Sequence, residues 1–507
     1  LRDHIPEYMI PSLLLSVQQW PLTPNGKVDR NALPDPDAAI SDLQVYVAPR
    51  NETEQRLVAI WQEVLQRSNI GIQDNLFDVG GNSLLATRIV SRVKKQFEVP
   101  LSVRELFTAP TVAELSVAVG RAGQTRHIPP IQAHSGDEPA PLSYAQQRLW
   151  FLDQLEPGST AYNMPGAFRL TGRIEIGALQ RALKEIVARH GVLRTHFALI
   201  DDEPVQMVAD PDQWSAQVIE LAAASPAQQQ VRIDQEVELL YSHVFDLAAG
   251  PLFYVKILVL GEQQYVLLIN MHHTVSDGWS NGILMRELGM LYDAFAHGRR
   301  SPLPDLRIQY TDFSRWQRQW LSGEELERQV GFWRDALAGV EVLGLPTNQP
   351  RTVDTGFAGN VLSFQLDSLL TQKLNRLCKQ QGVSLYMATL SAYMVLLSKY
   401  TSQTDIAVGS PIANRNFEEI EPLIGFFVNT LVLRGELDLK STFTEFLAQI
   451  QQKTLDAYSH QDVSFERLVD ELVSERDMLH APLFQVLFSL QNVGVNGQSA
   501  IPGIDLE

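Results

Sequence analysis

One short segment of the sequence brings together side chains that can bind and transfer protons: His272-His273-x-x-x-Asp277-Gly278. An imidazole changes its charge near neutral pH, so a histidine here could accept or donate a proton. Adjacent histidines point to opposite sides of an extended chain, and no cysteine or further histidine lies close by to complete a zinc site. A packed core histidine is the alternative for His272. The segment therefore favours proton transfer over metal binding.

A second segment, Gly80-Gly81-Asn82-Ser83, could present a serine hydroxyl to a partner. Two glycines let the backbone turn sharply before a helix, so Ser83 is predicted to stand at the helix start with its hydroxyl exposed. An ordinary N-cap serine, whose hydroxyl accepts a backbone hydrogen bond, is the alternative interpretation. These four residues alone leave both interpretations open.

The elements around the histidines are predicted from the hydrophobic pattern. Residues 253–260 and 265–271 are β-rich runs, and residues 261–264 between them are typical of a hairpin turn. Leu284, Leu288 and Leu291 then follow at helical spacing. The histidine segment is therefore predicted to be a loop between a buried strand and a helix, where a rigid scaffold can hold functional side chains.

The serine segment lies in a region whose apolar residues repeat at helical spacing. These residues are Leu57, Ile60, Trp61 and Leu65 before the segment and Leu85, Ile89, Val93 and Phe97 after it. Thr111 and Glu114 have the spacing of a capping box at the start of a last helix. The region therefore predicts a four-helix bundle, small enough to be only marginally stable alone.

With its neighbours included, the serine segment resembles a known family. Residues 74–87 look like the phosphopantetheine attachment site of peptidyl carrier domains, and residues 49–54 look like the entry segment of such domains. The resemblance covers residues 46–122. It implies that a phosphopantetheinyl transferase attaches 4'-phosphopantetheine to Ser83. Asn82 departs from the family, which more often has His or Asp at this position.

The large C-terminal part resembles the condensation domains of nonribosomal peptide synthetases. The motifs that carry the resemblance include the histidine segment and residues 142–152, 189–197, 310–313, 316–317, 424–430, 460–466 and 482–486. The resemblance implies an α+β domain over residues 141–507, with two chloramphenicol-acetyltransferase-like lobes in a V and the histidines at their junction. The N-lobe would span about 141–311 and the C-lobe about 312–507. Such domains continue for several more elements, so we expect the C-terminal end of the second lobe to be absent.

The same resemblance implies a role for each residue of the histidine segment. His273 would position an attacking amine and assist proton transfer, while His272 supports the loop. Asp277 could orient His273 directly, but we favour a structural ion pair with Arg189 or Arg194. Gly278 would leave room for the incoming phosphopantetheine arm.

Two further pieces complete the predicted domain order. Residues 1–35 resemble the C-terminal tail of an adenylation domain, with Lys27 at a turn but without the rest of that domain. Residues 123–140 contain Pro129-Pro130 and polar residues, which is typical of an exposed linker. The predicted fold class is therefore multidomain: a four-helix carrier bundle plus the α+β condensation domain.

The predicted function is nonribosomal peptide synthesis by amide formation between thioester-bound substrates, in the secondary metabolism of an antibiotic or a siderophore. The expected partners are an upstream adenylation domain, a downstream carrier domain and aminoacyl or peptidyl thioesters. An epimerisation domain, which shares the histidine segment, and a non-catalytic platform for docking carriers are the alternatives. The motifs at residues 142–152 and around Asn429 favour condensation.

The composition agrees with this function and argues against other classes. The net charge of −18 argues against a nucleic-acid partner, because phosphate binding requires a basic face. The single cysteine, Cys378, permits no intrachain disulfide and fits a reducing compartment, and we assign its thiol no catalytic role. No signal peptide or run long enough to span a bilayer is present, so a cytoplasmic location without membrane contact is expected.

Overall fold

The carrier region is helical in the computed structural model, which describes residues 46–121, 128–134, 138–347, 359–473, 481–491 and 505–506. Its helices are α1 (Glu52–Leu65), α2 (Ser83–Phe97), α3 (Val103–Thr108) and α4 (Val112–Arg121). Leu57, Trp61, Ile89 and Val93 are fully buried between them. The predicted four-helix bundle is therefore confirmed, whereas the adenylation-like segment 1–35 lies outside the described residues.

Local hydrogen bonds explain where two of these helices begin. Asn51 caps α1 by accepting a hydrogen bond from the Glu54 amide, and Glu54 in turn forms an ion pair with Arg50. Thr111 and Glu114 exchange side-chain and backbone hydrogen bonds at the start of α4. This reciprocal pair confirms the capping box that the sequence predicts.

The large part follows in chain order, with an N-terminal lobe, a connecting helix and a C-terminal lobe. The N-terminal lobe contains β1 (Ala140–Pro141), α5 (Tyr144–Leu155), β2 (Asn163–Thr171), α6 (Ile176–Arg189), β3 (Thr195–Ile200), β4 (Glu203–Val208), β5 (Gln217–Glu220), α7 (Pro226–Tyr241), β6 (Phe253–Gly261), β7 (Gln264–His272) and α8 (Gly278–Ala296). The connecting helix is α9 (Tyr310–Trp320). The C-terminal lobe contains α10 (Gly323–Ala336), α11 (Ser368–Gln381), α12 (Leu385–Thr401), β8 (Asp405–Ile412), β9 (Asn429–Glu436), α13 (Phe443–Tyr458) and α14 (Phe465–Leu472).

A five-stranded sheet forms the centre of the N-terminal lobe. Its order is β10-β2-β7-β6-β5, where β10 is Asp505–Leu506. Strands β6 and β7 pair antiparallel, which confirms the predicted hairpin. Side chains of β7 are buried on both faces of the sheet, since Leu267 and Ile269 pack in the main cluster and Leu268 packs in a second cluster with α7. Burial on both faces explains why the run is apolar throughout.

The C-terminal lobe is built around the antiparallel pair of β8 and β9. Residues 481–491 run beside β8, where the Gly409 amide donates to the Val486 carbonyl and the Phe488 amide donates to the Gly409 carbonyl. A Cβ at position 409 would lie 2.5 Å from the ring of Phe484. The glycine therefore lets this segment approach β8 closely.

The carrier bundle packs against the C-terminal lobe. The buried core of the bundle is continuous with Met387 of α12 and Leu447 of α13. The single cysteine, Cys378, is buried in the same cluster, and burial raises the pKa of its thiol. The carrier and the lobe thus share an apolar interface in this structure.

The described part of the linker lies along α9. The His134 amide donates to the Asp312 carboxylate over 3.0 Å, and Trp316 Nε1 donates to the Pro129 carbonyl over 2.7 Å. The Arg315 guanidinium donates to the carbonyls of Glu138 and Pro139. The described residues of the linker are therefore fastened to the condensation part, although most of them are exposed.

The fold class predicted from the sequence, a helical bundle plus an α+β part, is confirmed. None of the helices in the described ranges is long and apolar enough to cross a bilayer. The same residues contain no group of three or more His, Cys, Asp or Glu side chains arranged to bind a metal ion.

Candidate active site and carrier site

The histidines lie where the hairpin leads into α8. His272 ends β7, and residues 273–277 form a tight connection that we call the histidine loop. The His272 amide donates to the Leu252 carbonyl, the His273 amide donates to the Tyr162 carbonyl, and the Val275 amide closes a turn on the His272 carbonyl. Neighbouring strand ends therefore fix the backbone of both histidines.

His272 points into packing. It is 4% exposed, and its Nδ1 lies 2.8 Å from Thr274 Oγ1. The rings of Tyr162 and Phe245 stand edge-on to it at about 6 Å. Burial, together with the neighbouring His273, lowers the pKa of His272 to about 4. His272 is therefore neutral near pH 7 and is built into the core, as expected for a supporting residue.

His273 is only half-buried and is held in one orientation. Its Nδ1 lies 2.7 Å from the carbonyl oxygen of Ser276. Because a carbonyl can only accept, this contact places the hydrogen on Nδ1 and leaves the lone pair of the neutral ring on Nε2. The ring also packs against Phe426, with 4.7 Å between centroids. The imidazole is thus fixed by a backbone carbonyl and an aromatic ring.

The Asp277 carboxylate accepts several hydrogen bonds that hold the histidine loop in place. The carboxylate caps α8 by accepting from the backbone amide and the hydroxyl of Ser280, over 2.8 and 2.7 Å. It also accepts from the Phe427 amide over 3.0 Å. An ion pair with Arg415, at 3.2 Å, completes the set, and both side chains are at most 2% exposed. This geometry agrees with the structural role that we favoured over direct orientation of His273.

The predicted partner of that ion pair is wrong. Arg189 lies 3.2 Å from Glu287 instead, and Arg194 donates to two backbone carbonyls. The side chain that reaches Asp277 is Arg415, which lies beyond β8 in the other lobe. Helix α6 turns Arg189 toward the acidic residue of α8, and this leaves Asp277 to a partner from the C-terminal lobe.

A buried His190–Glu287 pair next to this network was also missed. His190 Nε2 lies 2.8 Å from the Glu287 carboxylate, and the Ile424 amide donates to His190 Nδ1 over 3.3 Å. Since Nδ1 accepts, Nε2 carries the hydrogen, and the pair is satisfied with a neutral ring. Burial lowers the pKa of His190, which favours the same state. The pair ties α6 and α8 to the loop that contains residues 424–427.

Arg415 connects the loop that contains residues 424–427 to Asp277 of the histidine loop. One guanidinium nitrogen donates to the carbonyls of Ile420 and Leu423, over 2.7 and 2.6 Å. The guanidinium also stacks over the ring of Phe427 at 4.2 Å. Arg415 was not predicted, because no local motif marks an arginine whose partner lies 138 residues away in the sequence.

Gly278 begins α8 and faces open space. A Cβ added there would meet no atom within 4 Å, apart from its own neighbours in the chain. The fold therefore does not require glycine at this position. The open space agrees with the interpretation that the missing side chain leaves room for a substrate arm.

In the carrier, α2 begins at Ser83, and its N-cap is Asn82. The Asn82 side chain accepts a hydrogen bond from the Leu85 amide over 3.0 Å. The alternative interpretation of Ser83 as an ordinary N-cap is therefore wrong. Gly81 is required in the preceding turn, because a Cβ there would lie 2.4 Å from the Leu76 side chain. The capping position belongs to Asn82, and the serine follows it as the first residue of a 15-residue helix.

This position suits a phosphorylated group. The backbone amides at a helix N-terminus and the helix dipole stabilise a negative charge such as that of a phosphodiester. Asp78, the acid nearest in sequence, forms an ion pair with Lys379 of α11, which compensates its charge. Residues at the start of α2 therefore fit the attachment of 4'-phosphopantetheine.

Comparison with known sequences identifies the class of protein. The chain matches the family described as Condensation domain over residues 137–501, and the family described as Phosphopantetheine attachment site over residues 55–119. The chain therefore belongs to the condensation-domain family, with a carrier domain in front that bears 4'-phosphopantetheine on a serine.

Two curated relatives and one solved structure are similar to most of the chain. The chain is 44% identical to a linear gramicidin synthase protein of Brevibacillus parabrevis, over 97% of this chain and 10% of that protein. It is 40% identical to a plipastatin synthase protein of Bacillus subtilis (strain 168), over 97% of this chain and 19% of that protein. The X-domain from teicoplanin biosynthesis has the same fold, with a TM-score of 0.66 and 25% identity, over 75% of this chain and 84% of that one. The sequence-based assignment to nonribosomal peptide synthetases is confirmed.

The chain spans only about a tenth to a fifth of the length of these two relatives. The domain boundaries and the adenylation-like tail at residues 1–35 stay predictions.

Proposed function

We propose that the chain forms peptide bonds between carrier-bound substrates. The donor acyl group is held by the carrier of this chain, and the α-amino group of an aminoacyl thioester on a downstream carrier attacks it. The observation that carries the proposal is the fixed orientation of His273, whose Nδ1 is occupied by the Ser276 carbonyl so that Nε2 keeps its lone pair. A ring held in this tautomer can accept a proton at a defined position.

The donor is proposed to be attached through Ser83. When bound, 4'-phosphopantetheine supplies a thiol that carries the acyl group as a thioester, which is already activated toward amines. The C–N bond forms as the C–S bond breaks, and the proton lost by the amine ends on the departing sulfur. The step is therefore balanced without a further reactant.

The energetic demand on His273 is modest. With an α-amino pKa of about 7.7–8.0, roughly a tenth to a fifth of the acceptor is neutral near pH 7, so deprotonation contributes only about 1–1.4 kcal/mol. Orientation of two tethered substrates can contribute several times more. We therefore assign His273 the positioning of the amine and the transfer of its proton at Nε2, rather than the role of a strong base.

The other site residues support this arrangement. Asp277 holds the start of α8 and the loop at residues 424–427 together, and so fixes the backbone that carries His273. His272 fills the core beside it. The open space at Gly278 leaves a path for the substrate arm.

We also propose the setting in which this reaction takes place. An adenylation domain upstream would supply the aminoacyl group, and a phosphopantetheinyl transferase would modify the carrier. Two relatives carry the names of peptide synthases, gramicidin and plipastatin. This supports a role in making a peptide secondary metabolite, for which we propose a cytoplasmic location.

The test uses the synthetase that contains this chain, with its carrier and the downstream carrier both loaded. Mass spectrometry of the thioesters should show a new amide on the downstream carrier. A donor whose stereocentre is inverted without amide formation would indicate an epimerisation domain. Two loaded carriers that dock without either reaction would indicate a non-catalytic platform.

A further inference from the structure

An acidic turn of the C-terminal lobe receives the carrier. This turn, residues 418–421, contains Glu418, Glu419 and Glu421 and faces a basic stripe on α2. Arg88 and Arg92 both bind the Glu421 carboxylate, over 2.7 and 2.9 Å. The three side chains are only 11–23% exposed, so this contact is screened less by solvent than a surface ion pair. Two guanidinium groups on one carboxylate make Glu421 the centre of the polar docking contact.

The outer part of the docking contact is weaker. Lys95 of α2 lies 2.6 Å from Glu418 and 2.9 Å from Glu419, but its side chain is half-exposed. Lys379 and Asp78 form a separate ion pair at another point of the interface, and the lysine is 68% exposed. Exposed pairs of this kind contribute little individually. The ion pairs of Glu421 are therefore the polar contacts that we expect to contribute most to docking of the carrier.

The backbone of the acidic turn leads directly to the histidine loop. Trp279 of α8 donates its Nε1 hydrogen to the Glu421 carbonyl over 3.3 Å. Arg415 holds the carbonyls on either side of Glu421, at positions 420 and 423, while its other nitrogen reaches Asp277. The carboxylate of Glu421 thus faces the carrier, and its backbone faces the network of Asp277.

The residues that follow the acidic turn, 425–427, contact the histidine loop and its supporting residues. The Gly425 amide donates to Ser280 Oγ over 3.1 Å, and the Phe427 amide donates to the Asp277 carboxylate over 3.0 Å. Between them, Phe426 packs its ring on the His273 imidazole. Residues 413–428 contain no helix or strand longer than one turn of 3-10 helix, so these side-chain contacts determine where the segment lies.

We propose that docking of the carrier through Glu421 positions the histidine loop for amide formation. Glu421 is a positioning residue in this proposal, which rests on the proposed function of His273. When Arg88 and Arg92 bind the carboxylate, they hold the segment that presses Phe426 against His273 and presents the Phe427 amide to Asp277. The reaction site is then organised when a carrier is docked, and loosened when the carrier leaves.

Coupling of this kind must be reciprocal. If the docked carrier stabilises the contact between Arg415 and Asp277, then Arg415→Lys must weaken docking of the carrier. Arg415 is buried, and its guanidinium binds groups at positions 277, 280, 420 and 423, all within the condensation part of the chain. Because the guanidinium contacts the backbone of the acidic turn at position 420, the change is expected to act on docking through that backbone and not through a contact with the carrier.

The first experiment measures hydrogen–deuterium exchange of single amides in the full chain, which does not depend on catalysis. Arg88→Glu with Arg92→Glu should speed exchange at the amides of Ser280, Gly425 and Phe427 by about tenfold, within the usual range of coupling. Amides within the β6–β7 hairpin should exchange as before. Adding Glu421→Arg reverses the ion pairs and should restore the protection.

Lys379→Glu is the matched control, because it removes an ion pair of the same interface that does not contact the acidic turn. It should leave the three amides protected. Unchanged exchange in the double variant, or equally fast exchange in the control, would overturn the proposal. If the double variant loses the fold of the carrier, Arg88→Gln with Arg92→Gln gives the same comparison without charge reversal.

A second measurement links the coupling to the reaction. With both carriers loaded and the acceptor saturating, Glu421→Gln should slow amide formation about tenfold in a single turnover, within the range of such coupling. Loading of the carrier should be unchanged. Coupled exchange without any amide product in the wild type would contradict the proposed function of His273 but not the coupling. A normal rate of amide formation in Glu421→Gln would contradict the positioning role.

Discussion

The serine turn of the carrier, residues 74–82, and the histidine loop are both short connections that lead into a helix, but they are held by different kinds of contact. In the serine turn, most contacts are local: the Phe77 amide binds the Asn75 side chain, the Gly81 amide binds the Leu76 carbonyl, and Asn82 caps the helix. The Leu76 amide also donates to the Pro110 carbonyl of the same bundle, and the exposed Lys379–Asp78 ion pair is the contact already described with the C-terminal lobe. In the histidine loop, Asp277 is bound by Arg415 and Phe427, which lie 138 and 150 residues further along the chain.

This difference separates the two functions. A turn that is fixed mainly by contacts within its own bundle keeps its shape when the carrier leaves one partner for another. A loop that is fixed by the opposite lobe changes whenever the lobes, or the carrier docked on them, shift. The predictions below test whether the two sites are independent in this sense.

The largest expected effect is at the carrier. Ser83→Ala should abolish the mass added by a phosphopantetheinyl transferase and coenzyme A, because the proposed attachment atom is lost. The variant should melt close to the wild-type temperature, since Asn82 provides the N-cap and alanine is the best helix former. Intact-mass spectrometry and thermal unfolding provide both values. A full arm still added to the variant would disprove the assignment.

The next effect is at the histidine loop. His273→Ala should slow amide formation by about 10²–10⁴-fold, the range of a positioned proton-transfer group. Loading at Ser83 should continue normally, because that turn does not depend on the loop. Single-turnover formation of the amide between two loaded carriers measures the rate.

His272→Ala is the control for this assignment. It should reduce thermal stability, because it empties a buried position, and should affect the rate less than His273→Ala. The lowered pKa of His272 means that its contribution to stability is complete above about pH 6.5 and is lost as the pH falls toward 4. A wild-type rate in His273→Ala together with inactivity in His272→Ala would reverse the two roles.

A third prediction concerns the contact between the lobes. Asp277→Asn should lower the stability of the condensation part by about 3–5 kcal/mol, because the buried Arg415 keeps its charge without a carboxylate. Activity should fall with stability, while the carrier turn stays intact. Thermal unfolding and carrier loading measure the two regions separately.

A double-mutant cycle sharpens this prediction. Arg415→Met combined with Asp277→Asn should cost clearly less than the sum of the single changes, because no charge is then left unpaired. A variant Asp277→Asn that is stable and correctly folded but inactive would instead indicate a direct part in catalysis.

The smallest effect is expected at Asp462, a residue of the C-terminal lobe that lies near Lys94 of the carrier. Burial and the nearby Glu325 raise the pKa of this carboxyl to about 6, although Lys94 of the carrier opposes the shift and Gln329 donates to it. The folded state therefore binds the proton more tightly than the unfolded chain, and stability falls as the pH rises from about 4 through 6. Asp462→Asn should remove this dependence.

The gain in melting temperature from Asp462→Asn over the wild type should consequently be larger at pH 8 than at pH 5, by about 2 °C. A pH series of thermal unfolding curves measures it. An equal difference at both pH values would show that Asp462 is charged throughout that range.

Much of the scaffold could be predicted from the sequence, because it depends on local patterns. Helical spacing identified α1 and α2, the capping box identified the start of α4, and the polar residues between two apolar runs identified the hairpin. Much of the serine turn belongs to the same category, since its glycine and asparagine residues act on their own neighbours.

The partners of the histidine loop could not be predicted in the same way. An ion pair requires two side chains to meet in space, and Arg415 has no sequence feature that distinguishes it from Arg189 or Arg194. Helix α6 directs Arg189 to Glu287, which is visible only once α6 and α8 are packed. The contact of Glu421 with the carrier also depends on how two regions distant in sequence meet.

The fastening of the linker to α9 has a consequence for how far the carrier can travel. Only seven peptide links connect Arg121, the end of α4, with Ile128, after which Pro129 is bound by Trp316. Fully extended, seven residues reach at most about 25 Å. An undocked carrier that stays within this distance would meet the docking surface at an effective concentration in the millimolar range. Contacts that are individually weak would then be sufficient for the carrier to dock again. The carrier could therefore be released quickly between turnovers.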